Sequence, residues 1–286
     1  GNGIAYRMPG FQYQTITQLQ DLNTRRFSVL CFGSRELRAK LKTEFDKLVA
    51  LGADGTLYDE CQHKGNAHLC FDDRHGHEIG QVAYAWDNTL ISEFKADAPA
   101  SFLFAGEANY DGESQQYHLV YYRTNTPLHR PVKAYINRTS RFMTAVIGFD
   151  DREMVNQCLL FQYIPSYEPY FFKGLPADMP KTIAYGKQMM ELRRETAAYT
   201  WYGDMLLERE ASVLVNGEPY TCRYCVYRAG TGKRAVVIIN NTLQDIYPEV
   251  TLDNGRIQRY KAIGGEWVED DRICVPARGA VVALEA

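Results

Sequence analysis

Between Phe27 and Glu107 the chain alternates short apolar runs with amphipathic stretches, and this alternation constrains its fold more than any other feature. Phe27-Ser-Val-Leu-Cys-Phe32 reads as a buried strand closed by Gly33-Ser34, with Ser34 placed to cap a helix. From Arg35 to Leu51 the apolar residues Leu37, Leu41, Phe45, Leu48 and Val49 recur at spacings of three and four, the mark of an amphipathic helix, and Gly52 stops it. Thr56 to Asp59 reads as the second strand, 60 to 80 as a polar loop, and Gln81 to Ala96 as a helix ending before Pro99. Ser101-Phe-Leu-Phe-Ala105 is the third strand, followed by Gly106 and Glu107. Strand, helix, strand, helix, strand is the pattern of a parallel α/β sheet, and it puts the acids that follow the strands on one rim.

The pattern continues to about residue 200. Tyr117 to Tyr122 and Arg141 to Phe149 are apolar runs that fit strands, and Asp151 to Tyr163 and Pro180 to Ala198 are helical by periodicity. An aromatic loop, Ile164 to Gly174, lies between those helices. After Trp201-Tyr-Gly-Asp204 the texture changes to short β-branched runs separated by turn signals such as Asn216-Gly217 and Asp253-Asn-Gly255. That spacing predicts a small all-β sandwich. The chain accordingly divides into an α/β region, 1–204, and a C-terminal β-sandwich, 205–286.

Composition narrows the function. A formal charge of −3, with lysines and arginines scattered among acids, gives no basic face for nucleic acid. No apolar run reaches the roughly 18 residues of a membrane helix, and the start carries no signal-peptide pattern, so a soluble protein is expected. Seven cysteines at irregular spacing do not form a disulfide framework and favour a reducing, cytoplasmic location. The first residue is Gly rather than Met, which fits a fragment. The 20 Tyr, 13 Phe and 3 Trp suit either a Tyr-rich core or a sugar-binding cleft, where rings stack on sugar faces.

Two carboxyl groups across a sugar are what glycosidic cleavage needs, one protonated to release the leaving oxygen and one ionised to attack or to activate water. Asp59 and Glu107 are the pair the strand ends supply, with Glu60 in reserve; acids there can equally cap or solvate loops. Strand alternation turns Tyr58 away from Asp59, towards the helices. Residues 61 to 77 hold Cys61, His63, His68, Cys70, His75 and His77. His63, His75 and His77 are read as substrate-binding side chains and no metal or cofactor is expected, with zinc the alternative because Cys and His are its ligands. Tyr167 and Tyr170 are candidate sugar-stacking rings. Cys222-Arg-Tyr-Cys225 lies in a strand-like run, where the two positions face opposite ways, and is no redox motif. Gly230-Thr-Gly-Lys233 is a hairpin turn, not a phosphate loop.

The runs Gly52-Ala-Asp-Gly-Thr-Leu-Tyr-Asp-Glu60, Cys70-Phe-Asp-Asp-Arg-His-Gly-His77 and Phe104-Ala-Gly-Glu107 resemble a bacterial glycoside-hydrolase-like TIM-barrel family of largely unknown function. Their order is also similar to the alpha-amylase superfamily and the endo-alpha-N-acetylgalactosaminidases. The resemblance covers about residues 27 to 200 and implies a (β/α)₈ barrel, N-terminally incomplete here because only five or six strands fit. It implies Asp59 as nucleophile and Glu107 as acid/base in a retaining hydrolysis of an oligosaccharide or glycoside. The competing readings are a non-catalytic carbohydrate-binding protein and a metal-dependent hydrolase using the Cys/His loop. Neither the sugar nor the oligomeric state follows from the residues.

Overall fold

The computed structural model describes residues 30–58, 69–82, 85–107, 116–121, 141–169 and 174–286, together with the backbone of 4–6 and 29. The chain divides into two compact units, Gly1–Tyr121 with Tyr135–Ser140, and Tyr122–Ala134 with Arg141–Ala286. The division at 204 expected from sequence texture lies inside the second unit.

In the first unit β1 (Ile4–Tyr6) pairs antiparallel with β2 (Val29–Leu30). Helix α1 (Arg35–Ala50) starts where Ser34 Oγ accepts the amide of Leu37 at 3.3 Å. It ends at Gly52, whose φ of 83° takes the left-handed turn that releases the chain from the helix. Strand β3 (Gly55–Tyr58) follows, and then a short antiparallel hairpin of β4 (Leu69–Cys70) and β5 (Gln81–Val82). Helix α2 (Asp87–Asp97) leads to β6 (Leu103–Glu107) and β7 (Leu119–Tyr121). The predicted helix from Gln81 therefore starts six residues late, because Gln81 and Val82 pair with Cys70 and Leu69 instead.

Strands β3, β6 and β7 are parallel neighbours, as the alternation predicts. One face packs on α1 and α2 through an aromatic core. Phe45 stacks on Phe94 with ring centres 4.7 Å apart and on Phe104 at 5.8 Å, and Tyr58 stacks on Phe94 at 5.9 Å. The buried rings of Phe45, Phe94 and Phe104 each contribute about 1.5–3 kcal/mol of burial free energy. Leu57 and Leu103 alternate to the other face and are 48% and 46% exposed.

In the second unit β8 (Arg141–Val146) pairs parallel with β9 (Ile164–Tyr167) on either side of α3 (Arg152–Leu160). The aromatic segment read as a loop thus begins as a strand; one proline in four residues hid it, and β8 supplies the partner that fixes it. Helices α4 (Pro180–Glu195) and α5 (Ala197–Thr200) follow. Next come β10 (Asp204–Leu207), β11 (Ala211–Val215), β12 (Glu218–Pro219), β13 (Tyr224–Arg228) and β14 (Arg234–Ile239). The last strands are β15 (Glu249–Leu252), β16 (Ile257–Ala262), β17 (Trp267–Val268) and β18 (Ala280–Glu285). They form an antiparallel sheet in the order β10-β13-β14-β18-β16-β17 and a second in the order β12-β11-β15. Leu206, Val213, Val226, Ile238 and Leu252 bring both sheets into one core. Asn216 and Gly217, at φ 53° and 81°, make the tight turn between β11 and β12 that an Asn-Gly pair predicts.

Among the described residues the parallel strands do not close a barrel, and no helix is long and apolar enough to cross a membrane.

Candidate functional site

Parallel pairing sets Tyr58 opposite Gly106, so the chain leaving β3 and the last residue of β6, Glu107, emerge at the same end of the sheet. Glu107 in turn opposes Tyr121 of β7. Counting alternate residues from the buried Phe104, Glu107 belongs to the face of Leu57 and Leu103, away from the aromatic core, and is half-buried. Tyr58 turns to the helix layer, as alternation predicts, and burial pushes its phenol well above the usual range. Asp59, Glu60, His63 and Tyr170 lie outside the described residues.

The hairpin β4/β5 holds the remaining predicted histidines. A 3-10 turn over Asp73–His75 opens with Asp72, whose side chain accepts the Arg74 amide at 3.0 Å and the Arg74 Nε at 2.8 Å. That guanidinium holds the Asp72 carboxyl far below the usual carboxylate range. Gly76, at φ 75°, then reverses the chain so that His75 and His77 come together, ring centres 5.6 Å apart.

His75 is 5% exposed and its Nδ1 lies 3.2 Å from Cys70 Sγ. Its Nε2 is buried and faces Asp72 Oδ2 at 3.6 Å. The Nε2 of His77 lies 3.2 Å from Cys31 Sγ, while its Nδ1 is 2.8 Å from the Glu78 carbonyl. That carbonyl can only accept, so Nδ1 carries the proton and Nε2 presents a lone pair to the sulfur. The Gly33 amide donates to Cys31 Sγ at 3.3 Å, and burial pushes the Cys31 thiol up to about 11. The Sγ atoms of Cys31 and Cys70 and one nitrogen of each histidine all lie within 4.8 Å of one another.

Cys31 was absent from the residues singled out in sequence. It stands at the end of β2, far from the Cys/His loop, and only the fold brings it there. The turn that carries it is fixed by Arg38, whose Nη1 donates to the carbonyls of Phe32 at 2.7 Å and Gly33 at 3.1 Å, and whose Nε donates to Glu93 of α2 at 3.0 Å.

Tyr167, the last residue of β9, is half-buried, and its hydroxyl lies against Gly186 of α4, a packing position. Glu168 follows it at the strand's C-terminal end and is 3% exposed, its amide donating to the Val146 carbonyl at 3.0 Å. This second strand-end acid is not visible in the sequence, where the segment that carries it reads as a loop.

No protein-family model and no curated protein sequence matches the chain. Solved structures do. A noncanonic maltogenic alpha-amylase from Thermotoga neapolitana is 11% identical, with a TM-score of 0.55, over 90% of this chain and 67% of its own. An isomalto-dextranase from Arthrobacter globiformis T6, solved with panose, is 10% identical with a TM-score of 0.56 over 100% of this chain and 52% of its own. A debranching enzyme from Nostoc punctiforme is 13% identical with a TM-score of 0.51 over 92% of this chain and 64% of its own. The chain thus spans about half to two thirds of the enzymes it matches. At these identities the likeness is one of fold: the structures it resembles are glycoside hydrolases with a TIM-barrel-like layout, and this chain shares with them a mixed α/β architecture built on a parallel sheet.

Proposed function

We propose that the chain carries the carboxylate pair of a retaining glycoside hydrolase, acting on an oligosaccharide or glycoside from a TIM-type barrel followed by a β-sandwich. The observation that supports this reading is the parallel register of β3 and β6. It pairs Tyr58 with Gly106, so β3 ends at the end of the sheet where Glu107 closes β6, and Glu107 is on the face turned away from the helices. In this mechanism the Asp59 carboxylate attacks the anomeric carbon while the Glu107 carboxyl gives its proton to the departing oxygen. Water then attacks the glycosyl-enzyme ester as Glu107 takes its proton, and the Asp59 carboxylate leaves. Carboxyl groups about 5–5.5 Å apart suit this course.

The test uses aryl glycosides of graded leaving-group ability. Glu107→Gln is expected to slow cleavage of the poorer leaving groups by about 10²–10⁴-fold and to spare bond breaking with the best one, which needs no proton. Asp59→Asn is expected to abolish turnover of all of them, and NMR of the first product should show the anomeric configuration kept. A Glu107→Gln protein that handles the poorest leaving group at the wild-type rate removes Glu107 from the chemistry. Saturable sugar binding without turnover by the wild type would support the non-catalytic reading instead.

A further inference from the structure

We propose that Cys31, Cys70, His75 and His77 form a structural zinc site, a Cys₂His₂ centre that ties the end of β2 to the β4/β5 hairpin. The reading is independent of any glycosidase activity, because it concerns a different cluster and is measured without substrate.

The donor set comes first. Two sulfurs and two imidazole nitrogens are the borderline-soft ligands that zinc selects, in the combination common to its tetrahedral structural sites. Zn–S bonds of about 2.3 Å and Zn–N bonds of about 2.0–2.1 Å give a tetrahedron whose edges run roughly 3.3–3.8 Å. The four donor atoms lie within 4.8 Å of one another, with two of the four sulfur–nitrogen edges at 3.2 Å, so small side-chain adjustments bring all four onto one ion.

The surroundings are those of a ligand set. A ligating histidine donates its other ring N–H to a carbonyl or carboxylate, which fixes its tautomer. His77 has the Glu78 carbonyl on Nδ1 and so offers Nε2; His75 offers Nδ1, its buried Nε2 facing the Asp72 carboxylate at 3.6 Å, longer than a hydrogen bond. In each case the offered nitrogen is the one aimed at a cysteine. The Gly33 amide points at Cys31 Sγ, an N–H that favours thiolate over thiol. Gly33 itself is required, since a Cβ there would stand 2.5 Å from the His77 ring and 3.3 Å from Cys31 Sγ.

Four protein ligands fill a tetrahedral ion and leave no position for water or substrate, and three of the four are buried. The centre therefore braces structure and does not act as a Lewis acid, which sets it apart from a metal-dependent hydrolase. Binding replaces two thiol protons, so Zn²⁺ enters as two H⁺ leave to solvent.

The full chain, purified in reductant without a metal-affinity tag, is expected to retain about one zinc ion per molecule through gel filtration. A mercurial thiol reagent should release it, and Cys31→Ser and His77→Gln should each lose it. Should those variants misfold, the wild type still decides. Co²⁺ exchanged into it should give the intense visible bands of a tetrahedral ion and a sulfur-to-cobalt charge-transfer band. Alkylation with mass mapping should find Cys31 and Cys70 shielded until a chelator is added. Three outcomes overturn the proposal: wild-type protein that stays zinc-free after incubation with Zn²⁺ in reductant, its pairs then being plain S–H···N contacts; an octahedral cobalt spectrum; or a Cys31–Cys70 disulfide in rapidly quenched, freshly made protein.

Discussion

Gly186 sits in the middle of α4, where glycine costs about 0.5–1 kcal/mol relative to alanine, yet a Cβ there would overlap the hydroxyl of Tyr167 and come within 2.9 Å of its ring carbon Cζ. The glycine is present because a tyrosine lies across the helix. Gly186→Ala should therefore destabilise the protein by about 1–3 kcal/mol through overpacking, in place of the usual gain in helix propensity. Tyr167→Phe removes the overlapping oxygen, so the double variant Gly186→Ala/Tyr167→Phe should be more stable than the sum of the two single costs. Strictly additive costs in urea unfolding would show that the two side chains do not meet. The same residue shows the limit of reading roles from residue type. A tyrosine in an aromatic loop suits sugar stacking in sequence, and only the fold shows that its hydroxyl end lies against a glycine nineteen positions on. Cys31 is the converse: it looked like one more buried strand residue until the hairpin was placed beside it.

Elements were legible where they carry their own period. Helices α1, α3 and α4 and the parallel strands β3 and β6 fall where spacing puts them, since a long amphipathic face and a buried apolar run are local patterns. The two-residue strands β4 and β5 were not legible, because nothing in Leu69-Cys70 or Gln81-Val82 identifies the partner, and the Cys/His cluster depends on that pairing. Interstrand charge is another property only pairing reveals. Arg234 at the start of β14 donates to Glu285 at the end of β18 through Nη2 at 2.6 Å, Nε at 3.0 Å and its backbone amide at 2.8 Å, both side chains being largely buried. These bonds from Arg234, chiefly from its side chain, hold the Glu285 carboxyl below its ordinary value. A depressed folded pKa means that unfolded protein takes up the proton first. The contribution is complete above the unfolded value of about 4.3 and is lost as pH falls through the folded one. Glu285→Ala should cost about 3 kcal/mol at neutral pH, and the gap to wild type should shrink below about pH 4. A gap that stays constant into acid would mean that the pair is not the source of the depressed pKa.

At the scale of the whole chain, the change of texture near residue 204 marks a change of secondary structure without marking an edge of a compact unit. The reason lies in β14, whose six residues, Arg-Ala-Val-Val-Ile-Ile, are all buried. Val236 and Ile238 face the core shared with the second antiparallel sheet, and by alternation Ala235, Val237 and Ile239 face the other way. That other face is covered by helices that precede residue 204. Tyr227, beside β14 on β13, donates its hydroxyl to the Leu160 carbonyl at the end of α3. Asn156 of α3 donates to the carbonyls of Arg278 and Gly279 at 3.2 Å, and Tyr185 of α4 donates to Asn156 Oδ1 at 2.7 Å. Arg278 reaches back to Asp150 at 2.8 Å. An alternating strand would have announced one wet face; a continuous apolar run such as Val236-Val-Ile-Ile239 announces two dry ones, and it is the better sequence signal that this sheet is not a free-standing layer. Cutting at 204/205 should therefore strip the apolar cover from β13, β14 and β18. We expect a 205–286 fragment to bind a hydrophobic dye and associate in gel filtration, and its β14 amides to exchange far faster than in the full chain. Extending it to begin at Arg141, which restores α3, α4 and α5, should recover slow exchange. Slow exchange and a monomeric profile in the 205–286 fragment alone would show that the inner core carries the sheets without their helices.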